Sequence, residues 1–211
     1  MAKTPEEIAD LLGRLRQGDE AARGPLVAEA YECFRGLARR MLRNSGRLRR
    51  WVQTDDVMQG AALRLDRALR GAAPESPLHY YRLTVLQIRR ELIDLARHYF
   101  GPQGPASKHH TDPEGEAADS PGGPLQARAD PADDPTSLEP WTRLHRKAGE
   151  LPSPQREVFD LRWYHGLKPG QVAQVLNLAP DAVRQSWHRA LRWLDEQLGG
   201  QWPGQGRGTN D

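Results

Sequence analysis

Residues 101–139 set the strongest limit on how this 211-residue chain folds. The segment runs from Gly101-Pro102-Gln103-Gly104-Pro105 to Asp130-Pro131-Ala132-Asp133-Asp134-Pro135 and beyond, and carries almost no aliphatic side chains. Such a stretch buries too little apolar surface to offset the entropy of ordering it, so it reads as a flexible linker. Folded structure is therefore expected in two blocks, residues 1–100 and 140–199, with a disordered tail over 200–211. Charge follows the same division. Residues 1–100 hold 18 basic and 13 acidic side chains, the linker 2 and 8, and residues 140–211 hold 10 and 7. Two basic blocks about an acidic spacer suit two nucleic-acid-binding modules on a tether; solvated surface charge is the plainer alternative.

Each block reads as helix. Thr4-Pro5-Glu6-Glu7 is a capping box with proline at the first helical position, followed by Ile8, Leu11, Leu12 and Leu15 on one face. A second helix is expected over Asp19–Asn44, with Leu26, Ala30, Phe34, Leu37, Met41 and Leu42 inward and a break near its start at Gly24-Pro25. Thr54-Asp55-Asp56 caps a third, with Val57, Ala61, Leu65 and Leu69 inward. Ser76-Pro77 opens a fourth, reading Tyr81, Thr84, Val85, Ile88, Leu92 and Leu95 at three- and four-residue steps. After the linker the pattern predicts helices over 138–150, 154–165, 169–176 and 180–198, with Ser153-Pro154 as cap and first-turn proline of the second of these. No stretch alternates with period two, so the fold class is all-α.

The segment Gln171 to Val183 carries the sharpest local signal and reads as a helix-turn-helix. Ala173 is small enough to let two helices cross closely, and Asn177 stands where the chain must pass through a left-handed conformation. The following helix turns Val183, Trp187, Ala190, Leu191 and Leu194 inward, leaving Asp181, Arg184, Gln185, His188, Arg189 and Arg192 outward. Arginine pairs bidentately with guanine and glutamine with adenine, so Arg184 and Gln185 suit base edges in the major groove. Arg189 and Arg192 are better placed for phosphates. An ordinary helical hairpin with a basic face is the alternative.

These residues also resemble a known family. Leu151-Pro152, Gln155-Arg156-Glu157-Val158, Leu161-Arg162, Gly166-Leu167 and His188-Arg189-Ala190-Leu191 together resemble the fourth conserved region of bacterial sigma factors, most closely the extracytoplasmic-function (ECF) group. Asp55-Asp56-Val57-Met58-Gln59 and Leu63-Arg64-Leu65 resemble the part of the second conserved region that docks on the polymerase clamp helices. Arg89-Arg90-Glu91-Leu92-Ile93-Asp94-Leu95-Ala96-Arg97 resembles the end of that region, where the near-start (minus-ten) promoter element is read. The resemblance covers residues 20–100 and 140–198. It implies a region 2 bundle and a region 4 helix-turn-helix joined by the linker, with RNA polymerase core (clamp helices and flap), promoter DNA and an anti-sigma factor as partners.

Carried over by position, the resemblance implies that Asp56 and Gln59 contact the clamp. It gives Tyr80, Arg89, Arg90 and Arg97 to the near-start element, and Arg184, Gln185 and His188, with Arg189 and Arg192 beside them, to the upstream (minus-thirty-five) element. Tyr81 falls on the apolar face, where core packing is as good an account as a base contact; Tyr80 is the better exposed candidate. The loop Gly71–Ser76 corresponds to one that captures a flipped base in relatives. Departures from the family pattern are Lys168 and Ala179 where capping serines are usual, Ser186 where arginine is common, Trp187 in place of leucine, and Gly60 in place of an acidic residue.

Other features exclude function classes. No apolar run approaches the ~20 residues of a membrane span and none follows the charged N-terminus, so neither membrane insertion nor secretion is expected. Cys33 is the only cysteine and rules out an intramolecular disulfide, which fits a cytoplasmic protein. His109-His110 lack ligand partners at metal spacing, and no convergent carboxylate pair or phosphate-cradling glycine loop occurs, so no metal, cofactor or catalytic residue is expected. The residues alone leave two rivals: a dimeric helix-turn-helix regulator that uses palindromic sites, and a helical adaptor that binds polymerase without reading DNA.

Overall fold

The computed structural model describes residues 3–42, 54–71, 73–100 and 139–203, and all regular structure among the described residues is helical. The capping box forms as expected: Thr4 Oγ1 accepts from the Glu7 amide at 3.3 Å, and the Glu7 carboxylate accepts from the Thr4 amide at 2.6 Å. Helix α1 (Pro5–Arg16) buries Ile8, Leu11, Leu12 and Leu15. It stops at Gly18, whose φ of +89° lets the Asp19 amide return to the Arg14 carbonyl at 3.0 Å. A 3-10 turn over Glu20–Ala22 leads into α2 (Arg23–Leu42). Gly24-Pro25 therefore falls in the first turn of α2, where the missing proline N–H costs nothing.

Helix α3 (Thr54–Gly71) turns Ala61, Leu65 and Leu69 inward, and α4 (Pro77–Phe100) turns in Tyr81, Thr84, Val85 and Ile88. Ser76 Oγ accepts from the His79 amide at 3.2 Å and so caps α4. Helix α2 packs on α3, α3 on α4, and α1 on α2 and α4. The side chains of Met41, Leu42, Val57, Leu92 and Leu95 lie outside the described residues, as do the linker through residue 138, His109-His110 and the tail from residue 204.

The second group comprises α5 (Glu139–Glu150), α6 (Gln155–Phe159), a π-helical segment (Asp160–Tyr164), α7 (Pro169–Leu176) and α8 (Pro180–Leu198). The expected single helix over 154–165 is thus two unlike pieces. The wider π turn adds one residue and rotates the side chains that follow it about the axis. Nor does Ser153 cap α6; its hydroxyl donates to the Glu157 carboxylate at 2.9 Å. Helix α8 packs across α5, α6 and α7.

The two groups also touch: α4 packs on α5, the π segment and α7, and α2 touches the π segment. Their buried side chains form one continuous apolar core, from Ile8 and Leu65 to Phe159 and Leu194. Among the described residues no helix is long and apolar enough to cross a membrane.

Candidate nucleic-acid interface

The turn between α7 and α8 is built by its asparagine. Asn177 has φ 50° and ψ 48°, the left-handed region predicted for it, and is the only non-glycine residue with positive φ among the described residues. Its amide bonds to the Gln174 carbonyl at 3.3 Å, and the Leu178 amide reaches the Ala173 carbonyl at 2.9 Å. This pair of bonds is a Schellman closure, which satisfies carbonyls that the end of a helix would otherwise leave open. Ala173 is buried at the crossing and Val183 is buried at the start of α8.

Lys168 and Ala179 supply no side-chain cap to α7 or α8, yet Pro169 and Pro180 occupy first helical positions. At α7 half of a capping box survives, because the Gln171 amide oxygen accepts from the Lys168 N–H at 2.9 Å. The Trp187 ring stacks on Phe159 at 5.8 Å, and the Arg162 guanidinium lies 4.2 Å from its centroid. Ser186 is buried, so this position points away from solvent rather than presenting an arginine to phosphate.

Arg184, Gln185, His188, Arg189 and Arg192 are all exposed along the opposite face of α8. Arg184 makes an ion pair with Asp181, both side chains well over half exposed. A pair so exposed contributes little and leaves the guanidinium free to exchange partners. The arrangement is a convex helix surface carrying three arginines, a glutamine and a histidine, able to enter a major groove and to meet phosphates on either side.

The second candidate surface lies on α3 and α4. Gln59 is exposed, and Leu63 and Leu86 are exposed apolar side chains on these two helices. The Asp56 side chain lies outside the described residues. A Cβ at Gly60 would stand 2.4 Å from Glu91 Oε1, so glycine leaves the room that the Glu91 carboxylate occupies beside Arg64. Among the near-start candidates only Arg90 is exposed; the Arg97 side chain lies outside the described residues.

Tyr80 corrects the sequence expectation. It is 1 % exposed, and its hydroxyl donates to the Leu26 carbonyl of α2 at 2.7 Å. Helix α4 is covered on more than one side, so a residue next to the apolar stripe is buried too. Tyr81 is buried with its ring 4.7 Å from that of His165, as the core-packing account required.

Arg89 is enclosed by the second group of helices. Its guanidinium makes an ion pair with Asp160, donates from Nε to the Tyr164 hydroxyl at 3.1 Å, and lies 4.9 Å from the centre of that ring. The Tyr164 hydroxyl in turn shares a hydrogen bond with His145 Nδ1 at 2.8 Å. Burial depresses His145 to about 3 and His165 to about 4, so both are neutral. The His165 Nε2–H donates to the Tyr81 carbonyl at 3.1 Å, and Arg82 pairs with Glu157 at 2.9 Å. Burial raises Asp160 to about 7, with Arg89 pulling the other way. Sequence reasoning missed Glu157, Asp160, Tyr164 and His165 as a set. Their only signal is that Glu157, Asp160 and Tyr164 recur at three- and four-residue spacing, with His165 beside the last, in a segment otherwise rich in apolar side chains such as Val158, Phe159 and Leu161.

Cys33 is partly buried, and burial pushes its thiol up to about 12, which suits packing rather than reactivity. A family model described as ECF sigma factor matches residues 5–200 of the chain. No curated protein matches it.

Proposed function

The chain belongs to the ECF sigma factor family, whose members bind RNA polymerase and recognise promoters without a catalytic site of their own, and we propose how this member does so. The face of α8 that carries Arg184, Gln185 and His188 reads the upstream promoter element, with Arg189 and Arg192 on the flanking phosphates. Asp56 and Gln59 on α3 engage the polymerase clamp, and Arg89, Arg90 and Arg97 on α4 handle the near-start element. The observation that carries this reading is the α8 face. Five groups suited to base edges and phosphates stand exposed on one helix, directly after a left-handed turn closed by two backbone bonds.

Each of the two surfaces gains from the effective concentration that the other supplies once polymerase holds both on one promoter. An anti-sigma factor is the expected partner for control.

Substitution separates the two roles. In transcription reconstituted with core polymerase, Asp56→Ala should abolish initiation at every promoter. Arg184→Ala should cost ~1–3 kcal/mol at the preferred upstream element and relax its sequence preference. If Arg184→Ala left promoter preference unchanged while Asp56→Ala abolished initiation, the chain would bind polymerase without reading the upstream element. That outcome is the adaptor reading.

A further inference from the structure

Glycine is a poor residue for the interior of a helix, because it loses more conformational freedom on folding than any other and has no side chain to pack. Gly60 nevertheless stands inside α3. What lies over it gives the reason. A Cβ at this position would be 2.6 Å from the Glu91 carboxyl carbon, so a carboxylate reaching across from α4 fills the space of the missing side chain. Gln59 beside it and Leu63 three residues on are exposed, and Arg64 follows one turn along α3. The α3 surface thus carries an acid at a position that does not encode one.

That acid is incompletely neutralised. Glu91 Oε2 lies 3.3 Å from Arg64 Nη2, an ion pair, yet makes no hydrogen bond. The same guanidinium also pairs with Asp94 at 3.1 Å, so one cation is divided between two carboxylates. Burial raises the Glu91 carboxyl above its usual range; Arg64 pulls the other way and Asp94 adds to the rise. The Glu91 side chain keeps 15 % of its surface exposed. A carboxylate in this state gains from a further cation at its open edge.

We propose that Glu91 is a polymerase-docking residue: from α4, across Gly60, it presents a carboxylate on the α3 surface beside Gln59, where it meets a lysine or arginine of the core enzyme. This rests on the docking role proposed for Asp56 and Gln59. It gives Glu91 a different task from Arg89 and Arg90, its neighbours in the sequence. It also accounts for the glycine that departs from the family pattern at position 60, because the charge is kept and its carrier has moved to the next helix.

Binding of the full chain to core polymerase, measured at low and at high salt, tests the assignment. Glu91→Gln keeps the shape and removes the charge. It should weaken binding on the order of tenfold at low salt and by less at high salt, where a charge pair is screened. Gly60→Glu combined with Glu91→Ala moves the acid onto α3, one turn before Arg64, and should restore most of the affinity that Glu91→Ala alone removes. A carboxylate that only filled the notch would lower Tm when replaced and leave the salt dependence of binding as it was. Unchanged binding by Glu91→Gln, or a loss that the double variant does not repair, would overturn the assignment. Asp56→Ala reads the docking role separately. If the unsubstituted chain does not bind core, or Asp56→Ala binds equally well, the functional reading falls and the role of Glu91 with it. If both behave as proposed while Glu91→Gln binds normally, only Glu91 leaves the docking surface.

Discussion

Replacing Tyr80 by phenylalanine separates a structural hydroxyl from a base contact. The phenol is almost wholly buried, and its O–H donates to the Leu26 carbonyl at 2.7 Å. Leu26 lies inside α2, so its carbonyl also serves the helix ladder and is not stripped of every partner when the phenol oxygen goes. The loss is therefore that of one neutral buried hydrogen bond, about 1 kcal/mol, rather than the full cost of an orphaned group. For a protein of this size that corresponds to a fall of roughly 2–4 °C in Tm. The ring stays, so its packing in the core is kept, as is the separate bond from Thr84 Oγ1 to the Tyr80 carbonyl at 2.9 Å. Calorimetry of the free chain reads the stability change, and permanganate footprinting of polymerase–promoter complexes reads strand opening. The expected result is a lower Tm with normal opening. An unchanged Tm with impaired opening would refute the placement of this hydroxyl in the core and return Tyr80 to the DNA.

Asn177→Gly should leave stability within about 0.5 kcal/mol, because glycine accepts the left-handed conformation. Asn177→Val should cost about 1–2 kcal/mol in urea unfolding and weaken promoter binding in proportion. Acid should destabilise the fold. His165 and His145 have folded-state values depressed to about 4 and about 3, so the stability they contribute is complete above about pH 6.5 and is lost as pH falls towards those values. Asp160, raised to about 7, works in the opposite sense, and one carboxyl offsets only part of two histidines. The denaturation midpoint at pH 5 should therefore lie below that at pH 7.5, and a flat profile would count against neutral, buried histidines.

Local chemistry was legible in the sequence and long-range charge pairing was not. The capping box at Thr4 and Glu7, the left-handed Asn177 and the bounds of α7 and α8 follow from side chains within a few residues of one another. The outward face of α8 follows from periodicity alone, and all five of its candidates are exposed. Tyr80 defeated that reasoning because periodicity assumes one buried stripe, while α4 is covered by α1 and α3 and, separately, by the π segment. The contacts of Arg82 and Arg89 were invisible for a related reason. A charged residue reads as solvated unless its partner is known, and Glu157 and Asp160 lie more than seventy residues away, beyond the linker. The π turn that aims Asp160 and Tyr164 has no periodic signature, since it changes the period itself.

Whether the two helices proposed to face the promoter act through polymerase is read directly in a reconstituted mixture. Core enzyme should be mixed with the purified chain on a library of promoter fragments, and both co-migration with core and the transcripts made should be measured. Transcripts that depend on the chain, start at a shared spacing from two recurrent elements and appear only when chain and core co-migrate are the predicted result. A chain that bound duplex DNA through α8 but neither joined core enzyme nor changed its transcripts would contradict it.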